Sequence, residues 1–135
     1  VSTTTSPQQA TWGETVEISW KVENTGSSVA PADWYDYVYI SDDEILDDKD
    51  TVVTSQWAGL NTPLAGGSSY TATQNININS SLGTGDRYLL FVTDNNDNQD
   101  ETDESNNVQA VAIDISAPDL EITVATSPTS AALGE

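Results

Sequence analysis

Apolar and polar residues alternate along most of the chain with the two-residue period of a half-buried β-strand. In TVEISWKVEN, residues 15–24, Val16, Ile18, Trp20 and Val22 fall on one side and Glu17, Ser19, Lys21 and Glu23 on the other. The run DWYDYVYIS, residues 33–41, sets Trp34, Asp36, Val38 and Ile40 against Tyr35, Tyr37 and Tyr39. TVVTSQWAGL (51–60), SYTATQNININ (69–79), RYLLFVTD (87–94) and NNVQAVAIDI (106–115) continue the pattern, separated by turn-rich stretches such as NTGSS, PLAGG and SSLGTGD. No stretch carries the 3.6-residue period of a long amphipathic helix. With an opening strand the count is about seven, which predicts an all-β, immunoglobulin-like antiparallel β-sandwich, with a β-barrel as the alternative. Trp20, Trp34, Val38, Ile76, Leu90 and Val92 are the expected core. The three tyrosines read as cover for the outer face of a central strand; the competing reading is a carbohydrate-binding face on which sugar rings stack.

The chain also resembles itself. VSTTTSPQQATWGE, residues 1–14, aligns without gaps to ITVATSPTSAALGE, residues 122–135, with six of fourteen positions identical, including Pro7/Pro128, Gly13/Gly134 and Glu14/Glu135. A tandem array follows, with residues 1–116 as one module whose first strand is shortened and 117–135 as the opening strand of the next. Leu120, Ile122 and Val124 alternate as an inward face for that second module, and Trp12 stands opposite Leu133, so its position asks for bulk rather than for an indole.

Charge narrows the function. Twenty-two acidic residues stand against three basic ones (Lys21, Lys49, Arg87), a formal charge of −19, which repels nucleic-acid phosphates and anionic lipid heads alike. No apolar run approaches the roughly 20 residues that span a bilayer. Cysteine and histidine are both absent, which removes thiolate and imidazole zinc sites, the serine–histidine triad and the commonest general base. The carboxylates sit in polar runs rather than beside apolar groups that would raise one pKa, so an acid–base pair is not expected either, and the chain reads as non-catalytic.

Twelve of the 22 acids fall in two short segments: Asp42, Asp43, Glu44, Asp47, Asp48 and Asp50, then Asp94, Asp97, Asp100, Glu101, Asp103 and Glu104. Two like charges about 6 Å apart in water repel by roughly 0.7 kcal/mol before screening, so each segment opposes its own compaction unless a cation joins it. Carboxylates, amides and carbonyls are the oxygen donors that Ca²⁺ gathers, about six to eight at a time. Asp43, Asp47, Asp50, Asp94, Asp97, Glu101 and Glu104 are therefore the candidate metal ligands, with Ca²⁺ as the expected ion. The second segment is not an EF-hand loop. Asp94, Asn96, Asn98 and Asp100 have the alternating start of one, but Gln99 replaces its glycine and Ser105 its final glutamate. The competing account is a solvated acidic surface suited to high salt, with no specific metal site.

APDLEITV as a module opening, WYDYVYISDDEILDDKDT in the middle, LAGGSSYTAT, and ETDESNN before the last strand together resemble the CARDB family, the cell-adhesion-related domains of bacterial and archaeal surface and secreted proteins. The resemblance spans nearly the whole module. It implies an immunoglobulin-like sandwich in tandem arrays and an extracellular, secreted or cell-surface location, with neighbouring modules of the same chain, and surface polysaccharide or protein, as partners. Asp36, Ser41, Asp43, Leu46, Asp47 and Asp50 fall where the family's D-x-V-Y-x-S-x-D strand end and acidic loop would place them, and Glu101, Glu104, Asn106 and Asn107 match E-x-x-E-x-N-N. Gln99 departs from an aliphatic position of the family.

Overall fold

The alternating runs become strands close to where the pattern puts them. The computed structural model describes residues 1–126 except Ser2, Asn98, Thr102 and Ala125; residues 127–135, most of the second repeat copy, lie outside the described residues, as do the side chains of Thr3 and Glu104. Among the described residues the strands are β1 (Thr3–Thr5), β2 (Gln9–Thr11), β3 (Thr15–Glu23), β4 (Tyr35–Ser41), β5 (Thr51–Trp57), β6 (Ser69–Asn77), β7 (Gly85–Val92) and β8 (Val108–Ser116). They form one sheet in the order β1-β3-β6 and a second in the order β2-β8-β7-β4-β5, packed face to face as a sandwich.

The opening strand serves both sheets. Its two halves flank Ser6 and Pro7, and a proline has no N–H to continue a ladder. β1 lies antiparallel to β3, whereas β2 crosses to the other sheet and runs parallel to β8. The pairing is antiparallel throughout the two sheets except at this one junction, where a strand that changes sheet without reversing meets a neighbour running its own way.

Trp20, Trp34, Val38 and Ile76 lie in the core, as expected, joined by Ile18, Leu89, Phe91, Ile113 and Ile115. The indole of Trp20 and the ring of Phe91 meet across the two sheets with centroids 5.8 Å apart. Leu90 and Val92 are buried too, but on the opposite face of their strand, because they pair with Tyr39 and Tyr37 while Leu89 and Phe91 point inward. In YLLFV no polar residue marks the phase, so the alternation could not say which leucine faces which way. Leu90 is 0% exposed on an outer sheet face, which fits the tyrosine row acting as its cover. The other outer face is different in kind: Ser19, Lys21, Glu17, Thr71, Thr73, Asn75 and Asn77 line it.

A carboxylate sits between the sheets. Asp36 is 0% exposed on β4, and its Oδ2 accepts hydrogen bonds from Trp20 Nε1 at 3.0 Å and from the Tyr70 hydroxyl at 2.7 Å, both on the opposing sheet. Its Oδ1 accepts from Thr93 Oγ1 at 2.6 Å. Trp34 Nε1 in turn donates to the Tyr70 oxygen at 3.0 Å, so the tyrosine's own hydrogen is directed at Asp36. Isolated burial of a carboxylate costs several kcal/mol, and three donors are what make this position tolerable.

Replacing Asp36 by Ala strands three buried donors and is expected to lower stability by at least about 3 kcal/mol in urea unfolding, against about 1–2 kcal/mol for Tyr70→Phe. Burial, and then the Asp36 carboxylate beside it, push the Tyr70 phenol well above its ordinary value near 10. The native state therefore keeps a proton that the unfolded chain releases, so this contribution is intact below about pH 10 and is lost as pH rises beyond it. Melting curves from pH 9 to about 12 should show alkaline destabilisation that is blunted in Tyr70→Phe.

Candidate metal-binding loops

The acidic segments are the β4–β5 and β7–β8 connections. Because β4 and β7 are antiparallel neighbours, with Tyr37 opposite Val92 and Ser41 opposite Tyr88, the loop after Ser41 and the loop after Val92 leave opposite ends of the sandwich. The candidate ligands thus divide into Asp43, Asp47 and Asp50 at one pole and Asp94, Asp97, Glu101 and Glu104 at the other, and no single ion can be shared between the groups.

In the 42–50 loop the aspartates bind backbone. Asp43 Oδ1 accepts from the Ile45 amide at 2.9 Å, Asp47 Oδ1 from the Lys49 amide at 2.8 Å, and Asp50 Oδ2 from the Asp47 amide at 2.8 Å. A short carboxylate bonded to an amide two or three residues away is a turn-former, which explains five aspartates against one glutamate here. Asp43, Asp47 and Asp50 line one cleft of about 270 Å³ together with Asp42, Lys49 and Arg87. Arg87 pairs with Asp42 there, so this pole carries its own partial neutralisation.

The 93–107 loop is bound more deeply. The Thr93 hydroxyl reaches Asp36, and the Thr93 amide donates to the Asn107 carbonyl at 2.9 Å, so the loop closes on itself at its base. Asp94 is 6% exposed and adopts a φ of 50°, with Oδ2 accepting from the Gln99 amide at 3.0 Å. Asp97, at φ 55°, donates its amide to the Asp94 carbonyl at 2.9 Å. Such left-handed backbone is tolerated by aspartate far better than by most residues. Glu101 Oε1 accepts from Asn107 Nδ2 at 3.1 Å. Two hydrogen bonds from Ser105, through its side chain and its amide, hold the exposed Asp103 carboxyl below the usual range. The Glu104 side chain lies outside the described residues. Asp94, Asp100, Glu101 and Asp103 border a larger cleft of about 560 Å³ whose lining includes Val22, Trp34 and Leu64. Among the described residues, no three carboxylates converge into a ready-made metal cage at either pole.

Two contributors had sequence signals that the alternation alone does not decode. Asp36 is an acid at an inward position between Trp34 and Val38, and only a cross-sheet donor set accounts for it. Gln99, the departure from the family pattern, accepts the Ala32 amide at 2.9 Å through Oε1 and donates to the Asp100 carbonyl at 2.9 Å through Nε2. It fastens the acidic loop to the β3–β4 connection by hydrogen bonds where an aliphatic side chain would do so by packing.

The CARDB family model matches residues 1–111. The chain belongs to the CARDB family. Members are non-catalytic, adhesion-related modules as a rule. Among solved structures, this CARDB domain is similar to the CARDB domain of the PF1109 protein of Pyrococcus furiosus, described in complex with di-metal ions, at 17% identity and a TM-score of 0.64, covering 85% of this chain and 90% of that one. It also resembles a β-glucosidase from Listeria innocua at 15% identity and a TM-score of 0.55, where 84% of this chain matches 15% of the enzyme, and a β-glucosidase from Erythrobacter marinus at 13% identity and a TM-score of 0.52, covering 83% and 14%. At these identities the likeness is one of fold. No curated protein matches the chain. Among the described residues no helix is long and apolar enough to cross a membrane.

Gln99→Ala should leave the global stability of the CARDB domain within about 1 kcal/mol while exposing the Ala32 amide. Amide hydrogen exchange resolved by residue is the measurement: faster exchange at Ala32 with unchanged exchange in β3 and β7 is the expected result.

Proposed function

We propose that this CARDB domain is a calcium-stabilised, non-catalytic spacer or adhesion module in a tandem array on a secreted or cell-surface protein. The observation that carries the reading is an oxygen-only donor set gathered at both poles of a fold whose relative in Pyrococcus furiosus is described with di-metal ions. The residues fit such an ion in kind. Asp43, Asp47 and Asp50 border one cleft, and each gives one carboxylate oxygen to a backbone amide, which leaves the second oxygen for a cation. At the other pole Asp94 and Glu101 border the larger cleft, with Asp97 on the strained turn beside them. A calcium ion would supply charge neutralisation at each pole separately; the chain supplies hard oxygen ligands on turns already shaped by their own aspartates. Residues 117–135, read as the start of a following module, support the tandem arrangement.

Calcium that binds the folded chain alone stabilises it by mass action, by roughly 2.7 kcal/mol per site at free calcium near 100 times Kd. Thermal melts in chelator, in millimolar Ca²⁺, in Mg²⁺ and in NaCl of equal ionic strength test this. Calcium is expected to raise Tm beyond matched NaCl, and Asp47→Asn, Asp50→Asn or Glu104→Gln to remove part of the calcium-specific gain. Equal effects of calcium and NaCl would instead establish a salt-screened acidic surface.

A further inference from the structure

The outer face of the second sheet differs from the rest of this acidic chain. Among the described residues, the register rows of Tyr35, Tyr37 and Tyr39 across that sheet hold no charged side chain, although the chain as a whole carries a net charge of −19. Acids return at the far end of the face, where Asp86 stands opposite Asp114. Neither acidic cleft is lined by these rows, so the surface there is an open sheet face rather than a groove.

The aromatic rings on this face divide into two kinds. Tyr39 is half-buried and donates its hydroxyl to Asn95 Oδ1 at 2.7 Å, while the Asn95 amide donates to the Tyr35 carbonyl at 2.9 Å. Tyr39 therefore lies along β4 towards Tyr35, over the buried Leu90 and Val92. At the Tyr35 end the cover stops: Tyr35 is 41% exposed, and Trp57, opposite it on β5, is 45% exposed. The rings of Tyr35 and Tyr37 are near-parallel, with 17° between planes and 6.3 Å between centroids, an offset that leaves part of each ring face open. The Trp57 indole lies over the Gly59 backbone, so close that a Cβ there would collide with it. Such exposed rings in an uncharged setting mark a contact surface.

We propose that the corner formed by Trp57, Tyr35 and Tyr37 binds a neutral, β-1,4-linked glucan, separately from the acidic poles and from any ion they hold. Trp57 and Tyr35 at these exposures leave roughly 200 Å² of ring surface to cover. A stable protein interface needs about 800 Å² on each side, so a second copy of the chain fits this corner poorly. A sugar ring fits it well. With every hydroxyl equatorial, its two faces carry axial C–H groups that stack on an aromatic ring, while the hydroxyls stay at the rim in water or meet polar neighbours. Ser55, paired with Tyr37, and Asn95, bonded to Tyr39, are such neighbours. A β-1,4 chain is an extended ribbon that lies along a flat face, whereas an α-1,4 chain curves away from it. Charge selects the neutral glycan, since a net −19 repels an anionic one.

The test titrates cellohexaose into the full chain in the presence of chelator, followed by amide NMR, with maltohexaose and an oligogalacturonate as comparison probes. Cellohexaose is expected to bind with a Kd on the order of 1 mM, about tenfold more tightly than either other probe. The shifts should centre on Tyr35, Ser55 and Trp57, including the Trp57 indole N–H. Trp57→Ala and Gly59→Ala are each expected to weaken binding about tenfold with an unchanged Tm. The second variant keeps the indole and only displaces it, so it decides the matter should the first fail to fold. No shift up to about 10 mM cellohexaose, shifts centred elsewhere, equal binding of all three probes, or undiminished binding by either folded variant would each overturn the proposal. So would concentration-dependent shifts on this face without sugar, which would assign it to contact between copies.

Discussion

The cross-sheet hydrogen bonds of Asp36 set the relation of the two layers. A hydrophobic core alone tolerates sliding, because one aliphatic contact is much like the next. A buried carboxylate that must meet Trp20 and Tyr70 on the facing sheet is satisfied in only one arrangement. The same group reaches Thr93, so the first residue beyond β7 is held to the core before the acidic loop departs. Stability and loop placement thus share one side chain. Slipping β4 by a single residue would turn Asp36 to the outer face and drive Tyr35 or Tyr37 inward, which gives the register a strong preference over its alternatives.

The acidic loops are shaped chiefly by aspartate acting on nearby backbone. In the 42–50 loop three carboxylates each bond an amide two or three residues away, and Asp103 does the same for Ser105. The turns are therefore specified without a cation, while the repulsion among their second oxygens is not relieved. That combination suits a site in which the polypeptide supplies shape and an ion supplies charge balance. The Arg87–Asp42 pair gives the 42–50 pole some internal compensation, whereas among the described residues the side chains bordering the 560 Å³ cleft at the other pole include no lysine or arginine.

Much of this was legible in the sequence where polar residues mark the phase. In β3 the alternation of Val16, Ile18, Trp20 and Val22 with charged and hydroxyl residues leaves one solution, and the strand follows it. In β7 the run from Tyr88 to Val92 lacks such a marker, and the inward pair is Leu89 and Phe91 rather than Leu90 and Val92. The division of the first strand between two sheets has a visible cause in Pro7, but the parallel partner of β2 depends on tertiary proximity that no local pattern encodes. The separation of the two acidic loops was within reach, since an odd number of strand reversals lies between the ends of β4 and β7. Asp36 shows the remaining limit: alternation places it inward, while the three donors that justify it come from residues 16, 34 and 57 positions away.

The placement of the poles bears on any string of such domains. β1 begins beside the 93–107 loop and β8 ends beside the 42–50 loop, so the chain enters at one acidic pole and leaves from the other. Joined head to tail, every junction would face acid with acid. Such a string would behave as a polyelectrolyte of rigid beads, extended in dilute salt as its joints push apart and shortening as counterions accumulate between them. Its end-to-end length would then be set by the ionic composition of the medium as much as by the number of its beads.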